Sequence, residues 1–145
     1  MTDIKPRLVL DTNVILDLLV FKDPSAEPLR LMLDAKIVDA VRSEASMLEL
    51  VDVIQRPIFK LSQQEQEMIL QAWESLTRLL ENTAIESAPF ICRDLDDQIF
   101  LDMAYSIRPA VLFSKDLRVL ELRVSAKGHG VEITNQYDYL QAPSP

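Results

Sequence analysis

Arg7-Leu8-Val9-Leu10-Asp11-Thr12-Asn13-Val14-Ile15-Leu16 reads as a strand that stops and a helix that starts. Residues 7–10 form a short apolar run, suited to a strand buried on both faces. Asp11-Thr12-Asn13 then interrupts it with side chains that favour helix starts. Residues 14–21 read as a helix, with Thr12 or Asn13 near its first turn. A carboxylate directly after a buried strand is the feature that organises the rest of the chain.

The same alternation repeats downstream. Residues 26–34 predict a second helix, and residues 36–41 a second strand. Ser43 is placed to cap a helix over 44–55 that stops before Pro57. Ser62 is placed to cap a longer one to about residue 81, with Ile69, Ala72, Trp73, Leu76 and Leu80 on one stripe. Residues 83–86 suggest a short third strand. An acidic turn at 94–97 opens a helix to about residue 106. Residues 110–113 predict a fourth strand and residues 117–123 a short helix. Gly128-His129-Gly130 is a turn before a strand at 131–133, and residues 135–140 suggest a last short helix. Strands alternating with helices imply a three-layer α/β/α fold around a central parallel sheet of four to five strands. The 145 residues fit one domain, with a core over 7–140 and a loose tail over 141–145.

Composition narrows the function classes. Hydrophobic residues are 48% of the chain, enough for a packed core. The longest apolar stretch, 14–21, is broken by Asp17 and falls far short of the roughly 20 residues a membrane span needs. The polar start, 1–7, leads to no expectation of a secretory leader. A single cysteine, Cys92, forms no internal disulfide, so a cytoplasmic location is expected. A cysteine nucleophile would need His129, the only histidine, as its base, and nothing in the sequence places the two together. The net charge of −8 argues against a domain held to nucleic acid by a basic surface, though an acidic cleft that meets phosphate through metal ions remains compatible with it.

Open parallel sheets form sites beyond the carboxyl ends of their strands. Asp11 follows the first strand, and Asp116 sits three residues past Phe113. Asp97 continues the buried stripe of Phe100, Leu101 and Ala104, where a carboxylate is costly without a partner. Several carboxylates in one pocket repel, and a hard divalent cation such as Mg²⁺ or Mn²⁺ relieves that repulsion. No Cys/His cluster competes for zinc, and no glycine-rich phosphate loop is present. Each acid also has a plain structural reading. Asp11, Asp94, Asp96, Asp97 and Asp116 all stand where Asp caps or opens a helix. Glu49 and Asp52 fall on the polar side of their helix, and spacing alone calls both solvent-facing.

Four blocks, in order, resemble the PIN domain family. They are Leu8-Val9-Leu10-Asp11-Thr12-Asn13-Val14-Ile15-Leu16, then Ser46-Met47-Leu48-Glu49-Leu50-Val51-Asp52-Val53-Ile54 with Arg56-Pro57. The third, Cys92-Arg93-Asp94-Leu95-Asp96-Asp97-Gln98-Ile99-Phe100-Leu101-Asp102-Met103-Ala104, is most similar to a branch regarded as toxins of toxin–antitoxin systems. The last is Val111-Leu112-Phe113-Ser114-Lys115-Asp116-Leu117.

The resemblance covers about residues 7–140. It implies a Mg²⁺- or Mn²⁺-dependent endoribonuclease with Asp11, Glu49, Asp97 and Asp116 as catalytic acids, of which Asp11, Asp97 and Asp116 hold the metal. Thr12, Asn13, Asp94, Ser114 and Lys115 would orient these carboxylates or the RNA. Lys115 stands where the branch often has glycine, and would contact phosphate or crowd the turn. An antitoxin protein and a second copy of the chain are the implied partners. Two alternatives stand beside this. One is a non-catalytic module that keeps the fold. The other is an aspartate-based phosphatase, which usually carries a second Asp where this chain has Asn13.

Overall fold

The computed structural model describes residues 4–141. Its five strands are β1 (Arg7–Leu10), β2 (Asp39–Arg42), β3 (Arg78–Leu79), β4 (Ala110–Phe113) and β5 (Val131–Thr134). They form one parallel sheet in the order β3-β2-β1-β4-β5. β1 pairs with β4 over its whole length, from Arg7 opposite Ala110 to Leu10 opposite Phe113. The chain runs outward from β1 to β3, then returns to place β4 on the other side of β1. The β1/β4 boundary is therefore the point where the winding reverses, and a crevice opens beyond the carboxyl ends of these two strands.

Side-chain alternation along the strands separates two cores. Leu8, Leu10, Val111 and Phe113 face the helices α1 (Thr12–Leu19), α2 (Glu27–Asp34), α3 (Glu44–Ile54) and α4 (Gln63–Leu76). Val9, Ala110, Leu112, Val131 and Ile133 face α5 (Gln98–Ser106), α6 (Leu117–Leu120) and α7 (Arg123–Lys127). Leu50 of α3 and Leu101 of α5 are fully covered, one in each core. The sheet is thus covered on both sides, as the alternating strands and helices predict. Among the described residues, no helix is long and apolar enough to cross a membrane.

Ser43 and Ser62 cap α3 and α4 as expected, each in a reciprocal pair with the residue three further on, Ser46 and Glu65. The strand expected over 36–41 forms at Asp39–Arg42, the helix expected over 117–123 splits into α6 and α7, and three further expectations fail. The helix from Ser62 ends at Leu76, not near residue 81, because Thr77 turns extended and Arg42 of β2 takes the carbonyls of Glu74 and Thr77, at 3.2 and 2.8 Å. The edge strand β3 therefore forms at Arg78–Leu79. The strand expected over 83–86 is replaced by a 3-10 turn at Asn82–Ala84. The last expected helix shrinks to a 3-10 turn at Tyr139–Gln141. Of the expected loose tail over 141–145, residues 142–145 lie outside the described residues.

Candidate metal centre

A hollow of about 250 Å³ lies at the winding reversal. Asp11, Glu49, Asp94, Asp96, Asp97 and Asp116 line it with Thr12 and Asn13, and so do Leu16, Val53, Arg56 and Phe59. All four acids singled out as catalytic from the sequence meet here.

Asp11 is delivered by the end of β1, and its backbone N–H still donates to Phe113, 3.0 Å away. The side chain is 3% exposed. One oxygen accepts from the Asn13 backbone N–H at 3.4 Å, which caps α1, and the other accepts from the Ser114 hydroxyl at 2.7 Å. Burial raises the Asp11 carboxyl above its ordinary range, the Ser114 and Asn13 bonds pull it back, and the Asp116 charge adds to the rise. Ser114 itself is fully buried just past β4, and its oxygen also accepts from the Asp116 backbone N–H at 3.1 Å. It thus ties the two acid-bearing loops together.

Asp116 caps α6, accepting from the Arg118 backbone N–H at 2.8 Å. Burial would raise its carboxyl, but the Arg118 N–H and guanidinium together hold it below the ordinary range. Asp94 caps the 3-10 turn Leu95–Asp97 through the Asp96 N–H at 3.0 Å. Capping and convergence therefore coexist at Asp11, Asp94 and Asp116.

Asp97 behaves differently. It starts α5 without making a side-chain cap, and its Oδ2 is buried with no hydrogen-bond partner. Burial, then the Asp11 charge, a hydrogen bond shared with the Asp116 carboxyl and the charges of Asp116 and Asp94 push its carboxyl up to about 7. One oxygen from each of Asp94, Asp97 and Asp116 falls within 4.8 Å of the other two. This tight group has Asp94 beside Asp97 and Asp116, while Asp11, the third ligand expected from the sequence, lines the same hollow with one hydrogen bond to each oxygen, from Asn13 and Ser114, and a lone pair left on each.

Glu49 turns into the hollow rather than to solvent, because the Thr12 hydroxyl donates to its carboxylate. Burial raises Glu49, against the Thr12 bond. Asn13 stays exposed on the rim. Lys115 does not line this hollow. Its ammonium lies 2.7 Å from the buried Asp17, which also accepts from the Tyr137 hydroxyl. Arg118, which the sequence reading passed over, pairs with Asp94 at 3.1 Å and Asp116 at 3.3 Å. Its signal was its place in the first turn of a helix capped by Asp116, which folds a long side chain back over the cap. Cys92 is buried, which pushes its thiol up, and the His129 ring lies against Phe90 and Tyr105, so no activated thiol forms here.

The donor set is all oxygen, which suits a hard divalent cation rather than zinc in a Cys/His cage. The unpartnered Asp97 oxygen and the crowding of Asp94 and Asp116 fit the same group. None of the curated proteins is similar enough to the chain to count as a match. The family model of the PIN domain matches residues 7–118, most of the chain. The four sequence blocks, the five-stranded parallel sheet and the acid-lined hollow agree with that match, and the chain belongs to the PIN domain family.

Proposed function

We propose that this chain is a Mg²⁺- or Mn²⁺-dependent endoribonuclease that hydrolyses RNA phosphodiester bonds. PIN domains are generally metal-dependent nucleases. The observation that carries the reading is the buried, unpartnered Oδ2 of Asp97 at the centre of converging carboxylates. A carboxylate in that state is unfavourable unless a proton or a cation completes it, and above about pH 7 the cation takes that part. Asp11, Asp97 and Asp116 would hold the ion, with Asp94 close enough to join them and Glu49 in the same hollow. A bound divalent cation supplies a more acidic water and charge stabilisation at the phosphate.

The protein's own part is positional. Ser114 fixes Asp11 against the Asp116 loop, Thr12 turns Glu49 inward, and the cap of α6 aims Asp116. Fixed oxygens of this kind need little reorganisation when charge develops on the substrate.

The role of toxin, an antitoxin partner, a homodimer and a cytoplasmic site of action belong to the same proposal. The toxin role rests on the likeness of residues 92–104 to one branch of the family, and the homodimer follows from that role. Four acids in place favour an active enzyme over a module that merely keeps the fold. The test is Mn²⁺-dependent cleavage of single-stranded RNA by the wild type, Asp11→Asn and Asp97→Asn. Each substitution is expected to lower the rate by about 100-fold or more. Equal rates for wild type and variants would sink the reading.

A further inference from the structure

The hollow carries apolar surface that a cation does not need. Leu16, Val53 and Phe59 line it beside the carboxylates. Phe59 extends this surface outward to Phe21, with ring centroids 6.0 Å apart and planes tilted by 51°. Phe21 is 57% exposed, so an aromatic ring stands in water next to the Phe59 that lines the acid hollow.

Each ring is followed at once by a lysine. Lys22 and Lys60 are both exposed, and both hold left-handed backbone, with φ of 50° and 52°. A residue with a Cβ adopts that conformation only against steric resistance, and glycine or asparagine would do so more easily. Among the described residues, neither lysine makes an ion pair or a side-chain hydrogen bond. Arg56 also lines the hollow, and its ion pair, with Asp52 at 3.1 Å, is an exposed and weakly held one. In a chain of net charge −8, Lys22 and Lys60 thus follow the two rings in sequence and Arg56 lies three residues before Phe59, while Lys22 also lines a separate hollow with Asp23 and Glu27.

We propose that Phe21 and Phe59 form a stacking platform for one unpaired base of single-stranded RNA, with Lys22, Arg56 and Lys60 taking the neighbouring phosphates. The identity of the strand rests on the nuclease reading above. Bases in a duplex are stacked on each other and closed to a protein ring, whereas an unpaired base offers both faces. The cations favour a polyanion over an apolar peptide or a second copy of the chain. The metal hollow, which shares Phe59, then lies next to the stacked nucleotide.

The test uses the full-length chain with Asp97→Asn to prevent cleavage, and a single-stranded RNA ten nucleotides long carrying one 2-aminopurine. Binding is expected to quench the fluorophore. Replacing that base by an abasic site, or Phe21 by alanine, is expected to weaken binding about tenfold. Phe21→Leu, which keeps apolar bulk without the ring, is expected to behave like Phe21→Ala. Lys22→Gln and Lys60→Gln should each lower the salt dependence of binding by about one ion. Unchanged affinity with Phe21→Ala or with the abasic strand overturns the platform. So does a change of solution mass in Phe21→Ala, which would make the face a contact between copies. Hydrolysis of bis(p-nitrophenyl) phosphate with Mn²⁺, by chains that keep Asp97, separates the two readings. Its absence in the wild type counts against the nuclease reading while base-dependent binding still stands or falls alone.

Discussion

At Asp97, folding and ionisation oppose each other. Its carboxyl is raised from an ordinary value of 3.8 to about 7 by burial and by the neighbouring acids. A group raised in the folded state contributes stability below its unfolded value and loses it as pH climbs through the folded one. The metal-free protein should therefore weaken between about pH 4 and pH 7, with raised Asp11 and Glu49 acting in the same direction. Asp97→Asn removes the conflict. It is expected to stabilise the metal-free chain at pH 8 by about 1 kcal/mol, discounted for partial solvent screening, and to flatten the pH profile. Denaturant unfolding at pH 5 and pH 8 checks this, and a variant less stable than wild type at pH 8 would refute it. Ser114 makes the complementary case. Ser114→Ala leaves the Asp11 oxygen and the Asp116 N–H without partners, at a cost of about 2 kcal/mol in the same measurement. Asp11 and Asp116 were legible in the sequence because Asp11 directly follows one strand end and Asp116 lies three residues past another. Glu49 was not, since its spacing marks the polar side of α3 and only the Thr12 hydroxyl turns it inward.

Strand and helix boundaries were legible where local chemistry and tertiary packing agree. β1, β4 and both serine caps are of this kind. They diverge at the end of α4, where Leu76 and Leu80 share a helical stripe although Thr77 leaves the helix between them. The signal that ends the helix is Arg42, 35 residues earlier in the chain, and local pattern cannot supply it. The same limit hid the contact that joins α1 to the loop after β4. Asp17 reads as a break in an apolar run, yet it is buried, pairs with Lys115 at 2.7 Å and accepts from Tyr137, 120 residues away. It thereby fixes the segment that carries Ser114 and Asp116. Asp17→Ala is expected to cost about 3 kcal/mol, since it strips two polar partners at a buried point. Tyr137→Phe should cost about 1 kcal/mol, because Lys115 still answers the carboxylate. Thermal or urea unfolding of both variants tests the ordering. Equal losses would show that Lys115 holds nothing at Asp17.

The net charge of −8 makes any cation somewhat stabilising, because screening relieves self-repulsion across the surface. A specific ion at the Asp94–Asp97–Asp116 group acts by a different route. It binds only the folded chain, so its effect follows mass action and grows with the logarithm of the ion concentration once this exceeds the dissociation constant, reaching about 2.7 kcal/mol at a hundredfold excess. For a chain of this size that corresponds to a rise in Tm of roughly 5–10 °C. The proton on Asp97 must leave for the ion to enter, so the gain should grow as pH rises through about 7, opposite in sign to the metal-free profile. Mn²⁺ titrations followed by thermal unfolding, at ionic strength matched with Na⁺, separate the two routes. The expected result is a rise with Mn²⁺ at concentrations where Na⁺ has no effect, continuing with the logarithm of the Mn²⁺ concentration, that Asp97→Asn largely abolishes and EDTA reverses. An equal rise with Na⁺, or an undiminished one in Asp97→Asn, would reduce the carboxylate cluster to surface charge and leave the folded chain without a metal site there.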